Sequence, residues 1–115
     1  MRVLLVVGNG EIRDLLVTIV KLCGGYPLAV ATSSAGCAAL TGYRPDALLL
    51  ALPLTDPDHR LVRNAAVARV PIVAVDDDRG QLPSAELFAA GFSLHVVKRL
   101  HMDDVADAVL AAIAA

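Results

Sequence analysis

Residues 44–53 read Arg-Pro-Asp-Ala-Leu-Leu-Leu-Ala-Leu-Pro, a continuous aliphatic run that opens into a loop. A run without polar alternation is typical of a parallel strand that is covered on both faces. The residue just past the carboxyl end of a central strand faces the functional crevice of an open parallel sheet. Ala51 lies at that point, where a carboxylate could accept a phosphoryl group or hold Mg²⁺. A methyl group can do neither, so the pattern indicates a fold without the chemistry usually placed there.

Four more aliphatic runs lie along the chain and alternate with segments of helical periodicity. The predicted strands are residues 2–7, 27–31, 47–52, 72–75 and 94–97, and the predicted helices are residues 11–23, 34–40, 58–68, 83–91 and 102–115. In the first helix one apolar stripe is predicted from Ile12, Leu15, Leu16, Ile19, Leu22 and Cys23. Ser33 or Ser34 is the predicted N-cap of the second helix. Strands and helices that alternate through short connections favour a doubly wound α/β sandwich, here one domain over residues 1–115.

The composition limits the classes of function. Of the 115 residues 57% are apolar and 3% aromatic, and the formal net charge is −2 with a pI of about 5.8. Basic residues are scattered along the sequence, so we expect no nucleic-acid partner and no membrane-surface partner. The apolar runs are too short to span a bilayer, and the N-terminus has no signal-peptide layout. Cys23 and Cys37 lack metal or redox spacing and are predicted to be buried free thiols in a reducing cytosol, which favours a cytoplasmic protein.

Several short stretches, taken together, resemble one family. Residues 2–13 (Arg-Val-Leu-Leu-Val-Val-Gly-Asn-Gly-Glu-Ile-Arg) join an aliphatic strand to a helix that begins near Glu-Ile-Arg. Residues 31–40, residues 44–50, residues 70–75, and Ala-Ala-Gly at 89–91 followed by Val-Val-Lys at 96–98 continue the pattern. In order and spacing the chain resembles the receiver domain of bacterial two-component response regulators over essentially its whole length. The resemblance implies a flavodoxin-like (receiver-type) three-layer sandwich. It has five helices and a five-stranded parallel sheet of order 2-1-3-4-5, with a pocket at the carboxyl ends of the strands.

The resemblance also identifies the positions at which the family performs its reaction. It places the two metal-binding acids at Val7 and Gly8, with Asn9 next, and the phosphoacceptor aspartate at Ala51. It places the residue that contacts the phosphoryl group at Asp76, the switch aromatic at His95 and the lysine at Lys98, and only this lysine matches. We call Gly8, Asn9, Ala51, Asp76 and Lys98 the vestigial pocket.

Aspartyl phosphorylation needs a carboxylate nucleophile and a divalent cation held by oxygen ligands. Val7, Gly8 and Ala51 offer no side-chain oxygen, so we expect no catalytic residue, no metal and no cofactor.

Two features at the crevice leave alternatives open. Lys98 either pairs with Asp76 or is a solvated loop lysine, and such a pair, if exposed, would contribute no more than about 1 kcal/mol. The acidic run at residues 76–78 is either a relocated cation site or a solvated loop, and Asp76 alone could act as a permanent anion beside Lys98.

Further alternatives concern the first turn and the histidines. The stretch Gly8-Asn9-Gly10 either approaches a phosphate at the first helix or forms a tight strand-to-helix turn. His95 either senses protonation or a partner, or is partly buried without a role. His59 and His101 show no metal-ligand spacing.

The resemblance implies that the fourth helix, fifth strand and fifth helix form a face for dimerisation or partner docking. That face offers Leu87, Phe88, Val105 and Val109, unless these residues simply cover the sheet. We therefore expect an atypical receiver (pseudo-receiver) that works through phosphorylation-independent protein–protein interaction or dimerisation, and not an enzyme. The first alternative is a small-ligand or nucleotide-binding flavodoxin-like module that uses the turn at residues 8–10. A third, least favoured, is an enzyme with relocated acids at residues 76–78.

Overall fold

The computed structural model describes residues 1–52, 60–76, 94–97, 107 and 109–111, with the backbone alone at Leu52, Asp76 and residues 94–97. In chain order the elements are β1 (Arg2–Val6), α1 (Gly10–Leu22), β2 (Tyr26–Val30), α2 (Ser33–Tyr43), β3 (Ala47–Leu52), α3 (Arg60–Val67), β4 (Ile72–Asp76) and β5 (Leu94–Val97). Residues 107 and 109–111 are helical, and we call them the C-terminal helical segment. The predicted fourth helix, at residues 83–91, lies outside the described residues, as do the first residues of the predicted third and fifth helices.

All pairings between neighbouring strands are parallel, and they form one sheet of order β2-β1-β3-β4-β5. This confirms the predicted α/β fold and strand order. The strands β1, β3 and β4 form the buried interior of the sheet, because every side chain from Val3 to Val7, from Ala47 to Ala51 and from Ile72 to Val75 is buried. Helices therefore cover both faces of the sheet at these strands, as their continuous aliphatic sequences predict.

Alternate side chains of the strands divide the core into two clusters. On one face Val3, Leu5 and Val7 pack in a cluster with residues of α1 and with Val109 of the C-terminal helical segment. On the other face Leu4 and Val6 belong to a cluster with residues of α2 and α3. We refer to these as the α1 layer and the α2–α3 layer. They are the two outer layers of the three-layer sandwich.

The predicted apolar stripe of α1 is only partly correct. Leu16 and Ile19 are buried and Val20 joins them, whereas Leu15 is 44% and Leu22 68% exposed. At about 100° per residue, Leu15 and Leu22 lie about a quarter turn away from the centre of the buried side. Helical spacing predicts that both residues lie on the apolar stripe, but the sheet covers only the centre of that stripe.

The strand β2 is the edge of the sheet, so the prediction that it is covered on both faces is wrong. Tyr26 is 68% and Leu28 36% exposed. The Tyr26 amide donates to the Met1 carbonyl at 2.7 Å, and the Val7 amide donates to the Val30 carbonyl at 3.0 Å. Even-numbered residues of β2 thus turn their backbone groups towards β1, which leaves those of Pro27 and Ala29 facing outwards. Since proline has no N–H, Pro27 makes this edge a poor template for another strand.

Two local details of α2 differ from the sequence prediction. Thr32 caps the helix, because its Oγ1 accepts a hydrogen bond from the Ala35 amide at 3.2 Å, so neither Ser33 nor Ser34 is the cap. Ser33 is instead buried. The helix continues to Tyr43, beyond the predicted end at Leu40, and Arg44 closes it in the left-handed conformation with φ of 50°.

Cys23 and Cys37 are free thiols, as predicted, although both are only partly buried. In the part of the chain that the structure describes, the helices are all too short or too polar to cross a membrane.

Candidate functional site

The carboxyl edge of the sheet brings most of the vestigial pocket together. In the strand register Val6 lies opposite Leu50, and Ala51 lies opposite Val75. Gly8 and Asn9 follow β1 closely, Ala51 is the penultimate residue of β3, and the backbone of Asp76 ends β4. These four residues therefore lie along one edge. Lys98 is outside the described residues, and of His95 only the backbone is described, in β5 opposite Val73.

Ala51 is part of the hydrophobic core. Its side chain is 7% exposed and belongs to the buried cluster of the α1 layer, together with Val7, which is fully buried, and Val75, which is 2% exposed. The positions that the resemblance assigns to the phosphoacceptor and to one metal-binding acid are thus occupied by aliphatic side chains in apolar surroundings. A carboxylate in such a place loses its hydration, and the described side chains of this cluster offer it no partner.

Gly8 differs from Ala51, because it is exposed and has free space around it. A Cβ built at Gly8 would meet only the Ala31 carbonyl oxygen, at 3.9 Å. The chain could therefore accommodate a side chain here without steric conflict. What is missing at this position is an oxygen donor and not room for one.

Asn9 is the N-cap of α1. Its Oδ1 accepts hydrogen bonds from the amides of Glu11, at 2.9 Å, and Ile12, at 3.1 Å, while its own backbone is extended. An N-cap side chain satisfies amides that the first helical turn leaves unpaired. Both amides already donate to the Asn9 side chain and are not available to a phosphate. This favours the turn interpretation of the stretch Gly8-Asn9-Gly10.

Arg13 reaches back to the same edge, a contact that the sequence pattern does not predict. Its Nη1 donates to the Val7 carbonyl oxygen at 3.1 Å, and the contact is partly buried. The signal in the sequence is an arginine one helical turn after Asn9, with a stem long enough to lie along the helix. Its guanidinium is a cation at the end of β1, where it opposes the approach of a second cation such as Mg²⁺.

The residues described at this edge do not fit a divalent-cation site. Val7, Gly8 and Ala51 offer no side-chain oxygen, and the Asn9 oxygen already accepts two hydrogen bonds. Within the described residues no group of three or more His, Cys, Asp or Glu side chains could hold a metal ion.

Other site hypotheses fall outside the described part of the chain. Residues 77 and 78, Lys98, His59 and His101 are not described, so the acidic-loop cation site and the ion pair between Asp76 and Lys98 stay predictions.

The proposed docking face is described at one residue only. Val109 is 2% exposed and packs in the core cluster of the α1 layer, so this residue covers the sheet. Leu87, Phe88 and Val105 lie outside the described residues.

Comparison with known proteins shows which fold this is. No protein-family model matches the chain, and no curated protein sequence matches it. Among solved structures, a response regulator from Chloroflexus aurantiacus is similar, with a TM-score of 0.82 and 18% identity over 99% of this chain and 98% of that one.

Two further structures give the same result. One is the receiver domain of a sensor histidine kinase from Pseudomonas aeruginosa, with a TM-score of 0.82 and 21% identity over 99% of this chain and 98% of that one. That structure has a magnesium ion coordinated in its active-site cleft. A chemotaxis protein from Vibrio cholerae has a TM-score of 0.82 and 16% identity over 96% of this chain and 97% of that one. The chain therefore has the fold of response-regulator receiver domains.

Proposed function

We propose that this chain is an atypical receiver domain (a pseudo-receiver) of two-component signalling, which acts through phosphorylation-independent protein–protein interaction or dimerisation. One observation carries the proposal. Ala51, at the position that the resemblance assigns to the phosphoacceptor, is buried in an apolar cluster with Val7 and Val75. No nucleophile is present at that position to accept a phosphoryl group.

The surroundings of Ala51 support the same proposal. Phosphoryl transfer depends on a cation that offsets the charge of the transferred group, and hard oxygen ligands must hold that cation. Instead of two acids the end of β1 has Val7 and Gly8, and the guanidinium of Arg13 binds the Val7 carbonyl. The receiver domain from Pseudomonas holds magnesium in its cleft, whereas the donors described here do not suit that ion.

This chain has the fold of receiver domains, and a folded domain can bind another protein without being phosphorylated. We propose a protein partner or a second copy of the chain, no enzymatic activity and a cytoplasmic place of action. Leu87, Phe88 and Val105 remain the proposed apolar contacts of one docking face, with His95 as a switch-like position beside them.

The proposal is tested by isothermal titration of the chain with Mg²⁺, alone and together with beryllofluoride, a mimic of the phosphoryl group. We expect no saturable heat in either titration. The receiver domain from Pseudomonas is the positive control, since its structure contains the metal. Saturable binding of Mg²⁺ with a stoichiometry near one per chain would contradict the proposal.

The small-ligand or nucleotide-binding alternative has less support, because Asn9 already occupies two amides of the first helical turn. A thermal-shift screen with nucleotides separates the two functions. A ligand present at about 100 times its Kd would stabilise the chain by about 2.7 kcal/mol, a shift that is easily measured. We expect no shift from any nucleotide.

A further inference from the structure

The outer side of α3 is a basic stripe with an apolar residue in it. Leu61, Val62 and Ala65 face the sheet and are buried. Arg60, Arg63 and Val67 are separated by three and four residues, so they lie together on the opposite side, which points away from the sheet. Both arginines are exposed, and Val67 is 86% exposed.

The same layer contains more arginine and no acid among its described helical residues. Arg44 ends α2, Arg69 follows α3, and both are exposed. Neither α2 nor α3 contains an aspartate or glutamate. Within the described residues, no ion pair involves Arg44, Arg60, Arg63 or Arg69. We call Arg60, Arg63 and Val67 the arginine face.

The α1 layer, on the other face of the sheet, exposes more acids than bases in its described helical residues. On α1 Glu11 and Asp14 are exposed, and on the C-terminal helical segment Asp107 is exposed. On the same two helical stretches Leu15 and Leu110 are 44% and 49% exposed. Lys21, in the last turn of α1, is the one exposed base among the described residues of these two helical stretches. We call Glu11, Asp14, Asp107, Leu15 and Leu110 the acidic face.

We propose that copies of this chain associate head to tail, with the arginine face of one copy against the acidic face of the next. The two faces lie on opposite sides of one sheet, so they cannot meet within a chain. Each combines charges with exposed apolar side chains, and the charges of the two faces are complementary. An interface between two different surfaces can repeat from copy to copy, unlike the self-complementary contact of a two-fold dimer.

A second copy is favoured over a nucleic acid as the occupant of the arginine face. The chain has a net charge of −2, so the arginine face is a local feature of an acidic protein. Nucleic-acid binding usually relies on a basic field over the whole domain. The proposal does not depend on the state of the vestigial pocket, so its outcome and that of the magnesium titration are independent.

Sedimentation velocity over a range of concentrations tests the proposal on the whole chain. At about 50 mM salt we expect the average mass to rise with concentration beyond that of a dimer, because exposed charges are weakly screened there. At about 0.5 M salt we expect the chain to return to the monomer. A wild type that stays monomeric at low salt and high concentration would overturn the proposal and leave the arginine face to an acidic protein of another kind.

Two charge reversals test the polarity of the contact. Arg63→Glu damages the arginine face and leaves the acidic face intact, and Asp14→Arg does the opposite. We expect each variant alone to lose the larger species. An equimolar mixture should recover species larger than the monomer, because the intact acidic face of Arg63→Glu can pair with the intact arginine face of Asp14→Arg. Circular dichroism melting of both variants checks that these exposed substitutions leave the fold unchanged.

The mass that the wild type reaches separates this contact from a two-fold dimer, which cannot grow further. A wild type whose mass stops at the dimer, or a mixture with no species above the monomer, would overturn the proposal.

Val67→Ala is a further variant that leaves all charges in place. It should weaken the association at low salt, and an unchanged association would exclude Val67 from the contact and overturn the proposed composition of the arginine face.

Discussion

Ala51 of β3 lies directly opposite Val75 of β4 in the strand ladder, and the two side chains share the buried cluster of the α1 layer. Their exposed fractions are 7% and 2%. The crevice end of β3 is therefore continuous with the core, and the methyl group of Ala51 contributes to packing. Any polar replacement at position 51 has to be judged first by its effect on stability.

Ala51→Asp should destabilise the fold at neutral pH by about 1–3 kcal/mol, since a polar group is buried there and the described side chains of its cluster offer no partner. Burial raises the pKa of such a carboxyl, so it folds more readily in the protonated form. The loss of stability relative to the wild type should therefore be smallest below about pH 4 and grow as the pH rises above that value. Urea unfolding at pH 4 and pH 7 measures the difference.

Gly8→Asp is the matched control for that substitution. It adds the same carboxylate at the same edge, but at an exposed position with free space around the new Cβ. We expect a change in unfolding free energy within about 0.5 kcal/mol, as for ordinary surface substitutions. Equal stability of Ala51→Asp and Gly8→Asp at pH 7 would show that position 51 is hydrated, contrary to the structure.

Asn9→Ala should cost about 1 kcal/mol of stability, because two amides of the first turn of α1 lose their acceptor. Asn9→Asp keeps an acceptor oxygen and adds a charge that favours a helix N-terminus, so it should keep the stability or raise it slightly. Chemical unfolding of the three proteins compares these values. If Asn9→Ala unfolded like the wild type, Asn9 would not be the cap.

Gly36→Ala should destabilise the chain by about 1–3 kcal/mol through overpacking. A Cβ at this position would lie 2.8 Å from a methyl carbon of Val6 and 3.1 Å from one of Leu61. Glycine thus allows α2 to approach both β1 and α3. The measurement is the unfolding midpoint in urea together with its slope.

Gly42→Ala, in the same helix, is the control for Gly36→Ala. A Cβ at Gly42 would have no atom within 4 Å, and alanine is the better helix former by up to about 1 kcal/mol. The two substitutions should therefore change stability in opposite directions. A gain of stability in Gly36→Ala would mean that Val6 and Leu61 can move aside at little cost.

The aliphatic runs predicted the α/β class, because burial on both faces of a central strand leaves a clear pattern, whereas the strand order came from the resemblance. The run at residues 44–53 predicted β3 to the residue, with the bounds Ala47–Leu52. The same logic failed for β2, because an aliphatic edge strand such as residues 26–30 resembles a central one in sequence. It also failed for Leu15 and Leu22, whose exposure depends on how far the sheet extends beneath α1.

The position of the candidate site could be predicted from the sequence, but most contacts of its side chains could not. The resemblance assigned Ala51 to the crevice, but local sequence does not reveal that its methyl group belongs to the core. The role of Asn9 as a cap is local and could have been read from its place before Glu11 and Ile12. The contact between Arg13 and the Val7 carbonyl joins a helix to a strand end. Its one sign in the sequence is the place of Arg13 a helical turn after Asn9, and this spacing does not identify the acceptor.

Cys23 offers a test of the contact between α1 and the C-terminal helical segment. Burial, and then the negative charge of Asp107, raise the pKa of the Cys23 thiol above its ordinary value. A raised pKa means less thiolate, which is the reactive form, so Cys23 should react slowly at pH 8. In a Cys37→Ser background, Asp107→Asn should speed its reaction with a disulfide reagent by less than about tenfold, since tenfold corresponds to a full pKa unit.

The same pKa shift also predicts how stability depends on pH at Cys23. Because the folded chain holds the thiol proton more tightly than the unfolded chain, the contribution is complete below about pH 8.5 and is lost as the pH rises through the folded pKa. Cys23→Ser should reduce the loss of stability between about pH 8 and pH 10, relative to Cys37→Ser as the matched control. An unchanged reaction rate in Asp107→Asn would place Asp107 too far from Cys23 to act on it. Equal pH profiles for the two serine variants would show that the fold leaves the pKa of the Cys23 thiol at its ordinary value.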